Sequence, residues 1–292
     1  MRLSWRETLV LIAALGVAPA VFVVGQWKQN AERQIQQYPE PFRIADNFYF
    51  VGDTDVATFL ITGPQGHVLL DGGRATMEPT MVKSIAKLGF DIKDVKLLLN
   101  STPDLEQAGG LAALQQASGG ALWASEASAP VIASGGKDPD FALPARALFG
   151  IGVLAYSPAR VDHRFKDGDT VRVGPIALTA HVTGGSTRGS TTWTFSVRDR
   201  DRVLNVVSAN GVSLFQGIRY AEQGADIERA LRLLRSLPVD IWVTSHNRSW
   251  ARYPKFVARR TAKNPVDPFI DREGYRVFID TAEADFRNGV TH

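Results

Sequence analysis

The chain has 292 residues and no cysteine, and its 33 Lys and Arg against 30 Asp and Glu leave a formal charge of +3. Lack of cysteine excludes disulfides, thiolate metal sites and a thiol nucleophile. The basic excess is slight and sits in short runs, Arg198–Arg202 and Arg259–Arg260, interspersed with acids, so it reads as a solvated basic face and excludes nucleic acid as a partner.

Arg2 and Arg6 precede an uncharged apolar run from Leu9 to Gly25, the pattern of an export signal. Ala18-Pro19-Ala20 resembles a cleavage site, but Val21–Val24 follow directly, and Trp5 and Trp27 stand at the two ends where interfacial aromatics belong. The run approaches the roughly 17–25 residues that span a bilayer. Residues 1–27 are therefore expected to be a signal sequence or membrane anchor, with the polar, Pro-terminated stretch 28–41 as a linker. Residues 42–292 then form one domain outside the cytoplasm, periplasmic or tethered to the inner membrane through that N-terminal segment.

Within the domain, Phe42–Gly52 is a strand-like run closed by glycine, and Thr58–Thr62 followed by Gly63-Pro64-Gln65-Gly66 reads as a strand and a turn. His67–Leu70 is a short apolar strand closed by Asp71-Gly72-Gly73. Met81, Ile85 and Leu88 recur at helical spacing, and Val95–Leu99 is a buried-strand run. A helix starts at Leu111, and the Ala/Ser/Gly-rich stretch around Ala117–Gly136 reads as loops. The second half gives strands at Thr170–Val173, Ile176–Ala180, Thr192–Val197 and Val203–Val207, a helix at Ile227–Leu237, and a last strand Asp240–His246. Strands with helices between, in two similar halves, predict a four-layer α/β architecture, an αββα sandwich with two sheets face to face and helices outside.

Two stretches carry the chemistry. Val95–Leu99 runs into Asn100-Ser101-Thr102-Pro103-Asp104-Leu105-Glu106-Gln107-Ala108-Gly109-Gly110, and a later strand runs into His181-Val182-Thr183-Gly184-Gly185-Ser186-Thr187. Together they resemble the metallo-β-lactamase superfamily, in its B3-like branch, where an apolar strand leads into Thr/Ser-His-x-His-x-Asp-His-x-Gly-Gly and a later one into Thr-Pro-Gly-His. The resemblance covers roughly residues 41–275 and implies the αββα metallo-β-lactamase-like sandwich, a zinc cofactor in the family, and β-lactam as the family's suggested substrate. Carried onto this chain, the first-zinc positions fall on Thr102, Asp104 and Ser186, and the second-zinc positions on Glu106, Gln107 and His246. Only His246 keeps its residue type.

Zinc of this kind takes neutral imidazoles or thiolates in a tetrahedral set, and hydroxyls are poor substitutes because they must lose a proton to bind. The resemblance with these substitutions implies no zinc cofactor and a catalytically degenerate protein, leaning away from an enzyme, that keeps its cleft for an unknown small molecule or an envelope protein. Two alternatives stay open. Asp104, Glu106 and His246 could form an oxygen-rich site for a weakly held Mn²⁺, Fe²⁺ or Mg²⁺ in an atypical hydrolase. Alternatively, Ser186 as nucleophile, His246 as base and Asp104 or Glu106 as orienting acid could form a metal-free hydrolase, since triads are recognised by geometry and not by order. Asp71 is expected to brace the loop carrying residues 101–107, Gly109 and Gly110 to permit a tight turn, and His67, His163, His181 and His292 to be structural or exposed.

Overall fold

A computed structural model describes residues 40–150, 152, 154–214 and 217–290. The expected N-terminal segment, most of the linker and His292 lie outside them. The run Phe42–Gly52, expected as one strand, is a hairpin: β1 (Phe42–Ala45) pairs antiparallel with β2 (Phe48–Phe50), Phe42 opposite Phe50. The Asp46-Asn47 turn explains the difference, because Asp46 takes a left-handed φ of 35° that Asp and Asn tolerate better than other side chains.

From there β3 (Phe59–Ile61) and β4 (His67–Leu70) continue antiparallel, and β5 (Val95–Leu99), β6 (Ala121–Ser125) and β7 (His163–Phe165) add on in parallel, giving a seven-stranded sheet in chain order. Helices α1 (Glu78–Lys87), α2 (Leu105–Ala108), α3 (Leu111–Ser118), α4 (Ser128–Ala133) and α5 (Leu143–Gly150) lie along this half of the chain. The second sheet has five strands in the order β12-β11-β10-β9-β8: β8 (Thr170–Val173), β9 (Ile176–Val182), β10 (Thr191–Asp199), β11 (Arg202–Ala209) and β12 (Ile241–Thr244). Helix α6 (Gln223–Ser236) forms the crossover between the parallel strands β11 and β12, and α7 (Arg252–Ala258) and α8 (Arg272–Arg287) follow.

Period-two alternation decides which core each side chain enters. Phe59, Ile61, Val68, Leu70, Leu97 and Leu99 point into the core shared with the second sheet, whereas Leu60, Leu69 and Leu98 point into a separate core with α1 and α3. In the shared core Phe48 meets Phe195 edge-on at 5.1 Å and Phe165 meets Trp193 at 4.9 Å, so aromatic contacts join the two sheets. The outer helices α6 and α8 bring Ile227, Leu234, Tyr275 and Ile279 to the far side of the second sheet. This is the αββα sandwich expected from the sequence.

The region read as loops around Ala117–Gly136 holds the end of α3, β6 and α4. His163, expected in a loop, starts β7 with its ring 4.1 Å from that of Trp123. Short elements rich in Ala and Ser carry too few large apolar residues for their period to stand out. Among the described residues no helix is long and apolar enough to cross a membrane.

Candidate functional site

The ends of β4 and β5 set the frame. Beyond β4 the chain turns sharply at Asp71, whose φ is 68°, and its carboxylate accepts a 2.7 Å hydrogen bond from the Ser101 amide. Asp71 thus braces the loop after β5, as expected, and burial pushes its pKa up to about 7. Next, two glycine pairs interlock: the Gly72 amide donates to the Gln107 carbonyl at 2.7 Å and the Gly110 amide to the Gly73 carbonyl at 2.9 Å. A Cβ on Gly110 would lie 2.3 Å from the Gly72 oxygen, so this glycine is required by the approach of two backbones.

That packing delivers the loop of residues 100–107. Thr102 is buried, its carbonyl accepting from the Asn100 side chain at 2.8 Å. Asp104 turns inward as the N-cap of α2, its Oδ1 accepting from the amides of Glu106 at 2.8 Å and Gln107 at 3.0 Å. Buried Gln107 places its side-chain amide 2.8 Å from Asp104 Oδ2. Burial, and then the neighbouring Glu106 charge, push the Asp104 pKa up to about 8, so the neutral acid prevails at pH 7.

This carboxyl group links stability to pH. In the unfolded chain Asp104 ionises near pH 4, in the folded chain only near 8, so between those values the folded state binds more protons and stability falls as pH rises. Asp104→Asn keeps a capping oxygen and removes the ionisation, and is expected to raise the Tm at pH 8 by several degrees while leaving it nearly unchanged at pH 4. Thermal scans at both pH values check this; an equal change at both would contradict it.

Glu106 turns the other way, toward a residue outside both motifs. Arg74, directly after Gly72-Gly73, places Nη2 2.8 Å and Nε 3.2 Å from Glu106 Oε1, Nη1 2.9 Å from Asp53 Oδ2, and Nη2 2.7 Å from Asp55 Oδ2. The Arg74 side chain is 13% exposed and that of Asp53 2%. Burial works against the Arg74 charge, but Glu106 and Asp53 outweigh it and the net effect is a raised pKa. For Asp53 burial wins, and its pKa is raised despite Arg74 and two backbone donors. Arg74, Asp53 and Asp55 were not legible as site residues, because their ion pairs join positions far apart in the sequence. The one local signal is an arginine following the glycine pair.

His246 follows β12 on a loop tied to the same corner. Val56 and His246 form an isolated antiparallel bridge, the Asn247 amide donates to the Asp55 carbonyl at 2.8 Å, and the Asn247 side chain donates to the Asp53 carbonyl at 2.7 Å. The imidazole is 47% exposed, with Nε2 3.8 Å from Glu106 Oε2. Ser186 belongs to a third loop, built on Gly184 and Gly185 at φ of 68° and 87°, and its hydroxyl bonds the carbonyl and hydroxyl of Ser213, each at 3.2 Å. The Gly185 amide donates to the Tyr220 hydroxyl at 2.7 Å.

The six expected positions therefore divide. Glu106 is held by Arg74 and has His246 3.8 Å away, Asp104 and Gln107 pair with each other as a cap, Thr102 is buried, and Ser186 is engaged by Ser213. Among the described residues Asp104, Glu106 and His246 are not gathered as a metal-ligand set: Asp104 lies near Glu106 but caps α2, and His246 Nε2 is 3.8 Å from Glu106. Of the expected Ser186, His246 and Asp104-or-Glu106 triad, the structure brings His246 Nε2 to 3.8 Å from Glu106 but does not join Ser186 to His246, since the Ser186 hydroxyl bonds Ser213.

Residues 51–200 match the model of the metallo-β-lactamase superfamily. Among solved structures, the chain is similar to the native FEZ-1 metallo-β-lactamase of Legionella gormanii, at 31% identity over 87% of this chain and 96% of that one, TM-score 0.78. It is similar to the class B3 di-zinc metallo-β-lactamase LRA-12 from an Alaskan soil metagenome, at 28% identity over 88% and 97%, TM-score 0.79. It is also similar to a HARLDQ-motif mutant of a Cronobacter sakazakii metallo-β-lactamase, at 30% identity over 87% and 95%, TM-score 0.76. That motif ends in Gln, as does Thr102–Gln107 here.

These relatives correct one expectation. The substituted motifs implied no cofactor, whereas the similar LRA-12 is a di-zinc enzyme, so similarity gives no support to that absence. The residues present do not fit a zinc pair. Of the six ligand positions only His246 offers an imidazole, three offer neutral hydroxyl or amide groups, and Glu106 already bonds a guanidinium.

Proposed function

The chain belongs to the metallo-β-lactamase superfamily, and from that premise we propose that it is a catalytically degenerate member, held at the cell envelope, that uses the fold and its old cleft to bind a ligand or protein rather than to hydrolyse through zinc. The observation that carries this reading is Arg74 inside the carboxylate cluster of Asp53, Asp55 and Glu106. A catalytic metal in this fold does two things: it binds carboxylates, and it lowers the pKa of a bound water to about 7. A guanidinium performs only the first, since it has no site for water to coordinate and does not act as a Lewis acid. Asp104 and Gln107 support the same reading, because their polar atoms satisfy each other and a helix N-terminus and leave little to face a substrate.

The test is hydrolysis. The purified full chain, assayed with a penicillin, a cephalosporin and a carbapenem in buffer containing added Zn²⁺, is expected to turn over none of them faster than buffer alone. Turnover at least a hundredfold above buffer that disappears in His246→Ala would overturn the reading.

A further inference from the structure

The basic runs that look dispersed in the sequence converge in space. Arg43 on β1, Arg198 at the end of β10, Arg200 in the turn after it and Arg259 just past α7 line one cavity of about 290 Å³. None of the four makes an ion pair with a carboxylate among the described residues, although Asp46 and Asp199 share the lining. Asp199 accepts its hydrogen bonds from elsewhere, from Arg202 and the Asn264 amide at 2.8 Å, though its charge is felt by Arg200, so four arginines share the lining with two carboxylates. We propose that this cavity is a binding site for a phosphate group, carried by a lipid headgroup or by a small soluble ligand.

Several observations support the site. Arg259 is partly buried, with its guanidinium over the Phe42 and Phe256 rings and its Nε enclosed without a hydrogen-bond partner. An enclosed, unbonded guanidinium nitrogen is costly unless something completes it. Burial, and then the like charges of Arg43 and Arg260, hold the Arg259 pKa below its usual value, so an arriving anion would relieve both penalties. Arginine forks match the oxygens of a tetrahedral oxyanion, which is why clustered arginines select phosphate over a monovalent halide. A larger groove of about 690 Å³ adjoins the cavity and shares Asp46 and Arg198; Thr179, Thr194, Ser196 and Asn205 line it, so a polar substituent on the phosphate has hydrogen-bonding room beside it.

The experiment uses the full chain in a non-ionic detergent, titrated calorimetrically with inorganic phosphate and, separately, with monomeric dihexanoyl phosphatidylglycerol. Binding near one to one is expected, weakened at least about tenfold in Arg43→Gln/Arg198→Gln, both exposed positions. The ligand-free variant is expected to melt no lower than the parent, because the substitutions remove like-charge repulsion. Lipid binding ten times tighter than phosphate assigns the site to a headgroup, and equal affinities assign it to a soluble phosphate. Should the double variant not fold, Arg200→Gln, also exposed, carries the same comparison. Absence of binding by both probes, or binding undiminished in the variants, overturns the proposal.

Discussion

Arg74→Ala is expected to destabilise the folded chain by about 3–5 kcal/mol at pH 7, the usual cost of removing one partner from a buried ion pair. The reason is what stays behind. Asp53 is 2% exposed and Glu106 26%, and without Arg74 they face each other and Asp55 with no cation bonded between them. Burial already raises the Asp53 pKa, and loss of Arg74 raises it further. A carboxylate whose folded pKa lies above its unfolded value costs stability increasingly as pH rises between the two. The deficit of the variant should therefore be largest at neutral and alkaline pH and shrink on acidification toward pH 4–5. Denaturant unfolding at pH 5 and pH 7.5 measures both; a loss below about 1 kcal/mol at pH 7.5 would mean that Arg74 makes a surface-like pair worth little, and a loss independent of pH would remove stranded carboxylate charge as its cause.

Gly185→Ala is expected to cost at least about 3 kcal/mol. Two penalties combine there: a left-handed φ of 87°, worth roughly 1–2 kcal/mol for a residue with a Cβ, and a Cβ that would stand 1.9 Å from the Gly211 carbonyl oxygen. The carbonyl cannot simply yield, because a Cβ on Gly211 would in turn meet the Gly184 oxygen at 2.2 Å, so the two loops are in reciprocal backbone contact. Gly89 is the matched control, with a φ of 90° and nothing within 4 Å of where a Cβ would stand, so Gly89→Ala should show the conformational penalty alone. Equal melting-temperature losses in the two variants would remove steric contact as the cause.

The architecture was legible because it is encoded in alternation. Leu97, Leu98 and Leu99 are all buried yet face two cores, and only a strand between two apolar layers tolerates such a run. The β1–β2 hairpin is hidden in the sequence because Asp46-Asn47 interrupts an otherwise continuous apolar pattern for only two residues. Helix α8 shows a clear apolar period in Tyr275, Ile279, Ala282 and Phe286, yet it lies beyond the last motif of the site. The altered ligand positions were readable one by one, whereas their new partners were not. Asp104 joining Gln107 is local, three residues apart, but Arg74 reaching Asp53 and Glu106 spans 21 and 32 residues and depends on the interlocked glycines. Spacing within a motif is a local property, and a substituted motif is completed by residues that topology supplies.

The stitch between Asn247 and the Asp53 carbonyl has a consequence for the order in which the chain folds. It joins a side chain to a carbonyl 194 residues away, and the Ala57 amide bonds the Ser245 carbonyl across a similarly long gap. Contacts of such long range are entropically expensive to close early and form once the intervening chain has been condensed by nearer contacts. On a ribosome the first sheet can begin to pair while β12 is still unsynthesised. The corner where His246 approaches Glu106 must then wait for the polypeptide's last quarter, so until that stage the acidic side chains of Asp53, Asp55 and Glu106 have Arg74 as their bonded cation without the closing loop above them. An early-installed arginine gives the three carboxylates of the nascent half a shared counter-charge that does not depend on residues still to come.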